Sequence, residues 1–160
     1  MKKINKILAC IDFSEYSVMT LEYALEIARA TRSEIVVFNV INQRDLSGLE
    51  MANMYFPEKF SMDDYIKDMK KDRLARLKQL VKAHFLEDKL RMIISVDTGA
   101  PFDCILNAVT SHKADLVVMA NKGRGSVSRV LFGSAAEKVF RHCPVPVLSV
   151  RDIAKFKREK

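Results

Sequence analysis

The chain has 160 residues, 49% of them apolar, and a formal net charge of +7 at pH 7. That is the size of one domain, able to bury a core without disulfide or metal staples. The apolar runs are too short for a helix to span a bilayer, and Cys10, Cys104 and Cys143 show neither CxxC nor Cys/His ligand spacing, so neither a disulfide framework nor a zinc site is suggested and a soluble protein is expected. Much of the positive charge lies in the end segments MKKINK and AKFKREK, which fits phosphate ligands without requiring nucleic acid. A single domain over residues 1–160 in a reducing cytoplasm is expected, since the start MKKINKILACID has no long apolar segment or cleavage site.

In chain order, the first predicted strand is KILACI, from Lys6 to Ile11, followed by a helical pattern at Val18, Leu21, Leu25 and Ala28. EIVVFNVI, from Glu34 to Ile41, is the second strand. The segment from Asn42 to Ser61 is then expected as a long variable loop, carrying Met51, Met54, Tyr55, Phe56 and Phe60. It can act as a lid or docking surface, or fold over its own domain. A helix follows, marked by Ile66, Met69, Leu77, Leu80 and Val81, and then a third strand, LRMIISV, from Leu90 to Val96. Phe102, Ile105, Leu106 and Val109 mark the next helix, DLVVMA (Asp115 to Ala120) the fourth strand, Ala136, Val139 and Phe140 the last helix, and PVLSV (Pro146 to Val150) the fifth strand. Residues 152–160 form a basic tail. Strands apolar throughout and alternating with helices predict an open parallel sheet with helices on both faces, without repeats or internal linkers.

Such sheets bind ligands beyond the carboxyl ends of their strands, where strand order reverses. The first strand ends in Asp12-Phe13-Ser14-Glu15, where Ser14 can cap the following helix and Asp12 is left facing the crevice. The fourth strand runs into NKGRGSVSRVLFGS. Gly123 and Gly125 allow close backbone approach to an anion. Gly133-Ser134 opens a helix whose free N–H groups and positive dipole end favour phosphate. Lys122, Arg124 and Arg129 add charge. Taken alone, Gly123 and Gly125 read more readily as a simple turn and Ser134 as a simple helix cap. No GxxxxGK[ST] or complete GxGxxG occurs, which sets aside a Walker-type loop and a dinucleotide fingerprint. No Ser/His/Asp order, HExxH helix or kinase catalytic loop appears. His84, His112 and His142 fall near helix ends, where a histidine satisfies carbonyls. Cys10 and Cys104 read as small core hydrophobes, and Cys143 as the exposed thiol.

Gly123, nine intervening residues and Gly133-Ser134, leading into AAEKVFRHCPVPVLSV, resemble the nucleotide-binding signature of the universal stress protein family. KILACIDFSEYSVMTLEYALEIA, EIVVFNVI, GAPFDCILNAV and ADLVVMANKG resemble its other landmarks, in the same order, over nearly the whole chain except 42–61. The resemblance implies a Rossmann-like α/β fold with five parallel strands in the order 3-2-1-4-5. It implies a stress-response regulator that binds ATP, with magnesium beside the phosphates, and hydrolyses it slowly or not at all. By position, Asp12 meets the ribose or phosphate end, the Val40 backbone recognises adenine, and Gly123, Gly133 and Ser134 hold phosphates with Ala135 nearby. One position departs from the pattern: the family usually has glycine three residues before Gly123, where this chain has Ala120. The methyl group weakens binding if that backbone needs a positive φ or touches the ribose. The resemblance also implies a homodimer through the edge strand Pro146 to Val150. Alternatives are a slow magnesium-dependent ATPase or phosphotransferase in the same pocket, and a non-nucleotide interaction module working through the Met-rich segment. Nucleic-acid binding is disfavoured, because no aromatic platform or basic helix accompanies the charge.

Overall fold

The computed structural model describes residues 3–55, 61–122 and 133–152. Five strands form one parallel sheet: β1 (Lys6–Cys10), β2 (Glu34–Asn42), β3 (Met92–Gly99), β4 (Leu116–Ala120) and β5 (Val147–Val150), in the order β3-β2-β1-β4-β5. The helices are α1 (Ser17–Thr31), α2 (Gln43–Tyr55), α3 (Met62–His84), α4 (Pro101–Ser111) and α5 (Ser134–His142). The doubly wound architecture and strand order expected from the sequence are therefore present. Among the described residues no helix is long and apolar enough to cross a membrane.

The alternation of strand side chains divides the core into two layers. Ile7, Ala9, Ile35, Val37 and Val118 pack with Leu21, Leu25 and Ala28 of α1 and Leu77 and Val81 of α3. Leu8, Val36, Phe38, Val117 and Met119 point the other way, onto Cys104, Ile105, Ala108 and Val109 of α4 and Ala136 and Val139 of α5. Both faces of β1 and β4 are covered, which is why these strands read as unbroken apolar runs rather than as alternating ones.

Polar groups set the ends of the elements. The Asp115 carboxylate accepts from the backbone N–H groups of Asn5 (2.8 Å) and Lys6 (3.2 Å), tying the entry of β1 to the entry of β4. Ser33 Oγ donates to Ile4 O at 2.9 Å. Helix α3 starts at Ser61, whose side chain accepts from Asp64 N, with Asp63 and Asp64 in the first turn beside the positive end of the helix dipole.

Two elements differ from the sequence-based expectation. The third strand begins at Met92 rather than Leu90, because Leu86–Arg91 forms a 3-10 turn in which Leu90 is 93% exposed. The segment expected as a loop contains α2, which makes the chain order β-α-β-α-α-β-α-β-α-β. Of the aromatic residues noted there, Phe56 and Phe60 lie outside the described residues, as do residues 153–160 of the tail.

Leu77 is fully buried between α3 and the sheet. Leu77→Ala should cost about 2–5 kcal/mol of unfolding free energy, measured by urea denaturation with an unchanged denaturant slope. The Cys10 thiol, at the end of β1, is pushed up to about 12 from 9.0 by burial first and by Cys143 second. Because the folded state favours the protonated thiol, this contribution is complete below pH 9 and is lost as pH rises towards 12. The stability difference between the wild type and Cys10→Ala should therefore fall over that interval in parallel urea titrations.

Candidate functional site

The site lies where β1 stops between two longer paths of chain. Pairing between β1 and β2 ends at Cys10 with Phe38, and pairing between β1 and β4 ends at Cys10 with Met119. One further bond, Ile11 N–H to Phe38 O at 2.8 Å, continues the ladder before the chain turns away. Backbone groups alternate sides along a strand, so Val40 directs its N–H and C=O the same way as Phe38, past the end of β1. On the other side, Val117 N–H donates to Pro146 O and Asn121 N–H to Val150 O, each at 3.0 Å. Those bonds turn the odd positions of β4 towards β5, leaving the Ala120 backbone directed towards β1. Val40 and Ala120 thus flank one crevice above the centre of the sheet.

Asp12 enters this crevice from β1 and is half-buried. Its Oδ1 accepts from Ser14 N–H at 2.9 Å and from Ser17 Oγ at 3.5 Å, an Asx turn that fixes the carboxylate over the start of α1. Ser14, expected as the helix cap, instead accepts from Tyr16 N–H at 3.3 Å one turn early, and the capping position of α1 is Tyr16. The turn requires a left-handed backbone at Phe13, with φ of 60°. For a bulky side chain that conformation costs about 1–2 kcal/mol and is held only by its surroundings.

Asn39 was not singled out in the sequence. It is 1% exposed and donates through Nδ2 to Ile11 O at 2.7 Å, pinning the residue before Asp12 to β2. Its Oδ1 has no hydrogen-bond partner among the described residues. The signal that could have revealed it is a lone polar residue in EIVVFNVI at a position whose neighbours two residues away, Val37 and Ile41, are fully buried.

The fourth side of the crevice is the start of α5. Gly133 precedes the helix with φ of −67° and ψ of 151°, a conformation open to any residue. Its N–H donates to Asn121 O at 2.9 Å, and its O accepts the first helical bond from Glu137. The Gly133 N–H is therefore spent on the chain itself, and the next three N–H groups, on Ser134, Ala135 and Ala136, have no partner within the helix. Gly123, Gly125, Arg124 and Arg129 lie outside the described residues; Lys122 is half-buried at the edge of the crevice. Ala120 is not among the residues with positive φ, so a glycine is not required there for backbone conformation.

The donor set fits an anionic ligand with a flat polar ring. Helix N–H groups and the Ser134 hydroxyl suit phosphate, the Asp12 carboxylate suits hydroxyls or a hydrated cation, and the Val40 main chain offers a donor and an acceptor to a base edge. His84, His112 and His142 sit at the last turns or ends of α3, α4 and α5, as expected for residues that serve helix ends. Among the described residues no group of three or more His, Cys, Asp or Glu side chains could hold a metal ion.

The family profile described as Universal stress protein family matches residues 3–151. Universal stress protein MJ0531 of Methanocaldococcus jannaschii is 28% identical over 146 residues, covering 90% of this chain and 81% of that protein. Among solved structures, protein MJ0577 superposes with a TM-score of 0.75 at 20% identity, over 93% of this chain and 96% of its own. A universal stress protein in complex with cAMP superposes with a TM-score of 0.60 at 19% identity, over 93% and 98% of the two chains. A profile that spans almost all of the described chain, agreeing with the sheet order, shows that this chain belongs to the universal stress protein family.

Proposed function

We propose that the protein is an adenine-nucleotide-binding regulatory module of the cytoplasm that takes ATP with magnesium and uses it as a signal rather than as a fuel. What supports this reading is what flanks the end of β1: the Asp12 carboxylate, the main chain of Val40 and of Ala120 next in register beyond Cys10, and the start of α5, tied to the end of β4 by the bond from Gly133 N–H to Asn121 O. In this reading Val40 meets adenine, Asp12 the ribose or the magnesium shell, and Ser134 and Ala135 the phosphates, with Gly123 and Arg124 closing over them. Gly133 keeps the approach to α5 open, since it has no side chain and its N–H is tied to Asn121. The complex of a family structure with cAMP supports an adenine nucleotide. When bound, magnesium supplies charge neutralisation at the phosphates; no residue here is assigned as a catalyst, and hydrolysis is expected to be slow.

Two copies are proposed to pair through the free edge of β5, whose four residues carry no charge. A second reading, as an interaction module, draws on α2, where Met51, Met54 and Tyr55 are exposed and Met54 is 82% accessible.

Calorimetric titration of stripped protein with ATP and magnesium tests the main reading. Gly133→Val suits the backbone angles at that position but places an isopropyl group before the helix donors. It should weaken ATP binding by about 100-fold, about 2.7 kcal/mol, while circular dichroism stays native. Full affinity in this variant would remove α5 from the site, and no binding by the wild type would favour the α2 reading.

A further inference from the structure

Asp12 sits between two residues that are each fixed from a different part of the chain. On its N-terminal side, Ile11 is held by Asn39 of β2. On its C-terminal side, Phe13 projects its ring against the layer formed by α1 and α3. There the guanidinium carbon of Arg76 lies 4.2 Å from the ring centroid and that of Arg73 lies 5.4 Å from it. Both arginines belong to α3, one helical turn apart and about sixty residues beyond the loop they contact.

Arg73 is 8% exposed, so its guanidinium has given up water to reach this position. The arrangement does, however, hold a phenylalanine in the left-handed conformation that Phe13 resists by itself. Rotation out of that conformation would carry the Asp12 carboxylate away from Ser14 N–H and Ser17 Oγ.

We propose that Phe13, clamped by Arg73 and Arg76, is the positioning residue of the crevice, and that α3 sets the placement of Asp12 through it. Asp12 then presents its carboxylate to the ligand only while α3 holds the ring, and a ligand that engages Asp12 stabilises α3 in that position by the same linkage. The second half of this inference rests on the nucleotide reading of the crevice; the first half does not.

The test uses the full chain and centres on Arg76, because replacing the buried Arg73 risks the fold. Arg76→Met keeps the length of the side chain without its charge, and Arg76→Lys keeps a cation over the ring. In ligand-free protein, amide hydrogen exchange at Ser14 reports the bond to Asp12. Arg76→Met should accelerate it by about tenfold with little change in the strands, and Arg76→Lys should restore most of the protection. In calorimetry with ATP and magnesium, Arg76→Met should weaken affinity by about five- to tenfold, with Arg76→Lys close to the wild type. In an Asp12→Asn background the Arg76→Met change should add nothing, as expected when both act through one group. Unchanged Ser14 exchange in Arg76→Met would overturn the clamp, and so would equal losses of affinity with and without Asp12. Failure of the wild type to bind ATP would overturn the nucleotide reading instead, and Ser14 exchange would still decide whether α3 positions Asp12.

Discussion

At the centre of the sheet β1 is hydrogen-bonded to β2 on one side and β4 on the other, and the rest of the molecule depends on where those two ladders stop. β1 leaves the sheet at Cys10 while β2 continues to Asn42. The chain from β1 passes to the α1 face, and the chain from β4 leads to α5 on the opposite face. A gap must open between connections that diverge in this way, and main-chain groups left without a strand opposite them must face it. The crevice follows from topology; what it recognises follows from the few side chains placed around it.

Those side chains combine opposite electrostatic tendencies. The start of α5 is a region of partial positive charge, while Asp12 is a carboxylate that accepts from Ser14 N–H and Ser17 Oγ. An anion at α5 and a carboxylate nearby repel unless a cation or a neutral sugar lies between them. Asn39 pins the Ile11 carbonyl without bringing a charge into the core, whereas a buried lysine in the same role would carry a large desolvation cost.

Much of the architecture could be read from the sequence, because strands buried on both faces leave long apolar runs and amphipathic helices leave spaced ones. The errors arose where apolar residues are not buried. Leu90 extends the run LRMIISV but is exposed, so the third strand begins two residues later than its composition indicates. Helix α2 is weakly signalled in the sequence, because its apolar residues Met51, Met54 and Tyr55 face solvent and Gly48 lowers the helix propensity at its centre. Around the crevice, Asp12 and Ser134 stand out in the sequence because they follow a strand end and open a helix, whereas Val40, Ala120 and Ala135 carry no local signal and are singled out only by the family resemblance. The use of the Gly133 N–H by Asn121, the pin from Asn39 and the two arginines over Phe13 are not legible there. Each joins residues distant in sequence, and no local spacing encodes such a contact.

The way α2 is attached has a mechanical meaning for the helix that follows it. Of the side chains described on α2, Leu46 is the buried one, an anchor of about 1.5–3 kcal/mol set against the whole of a domain's stability. Helix α3 takes its own position from Leu77 and Val81, which pack into the core layer on the sheet.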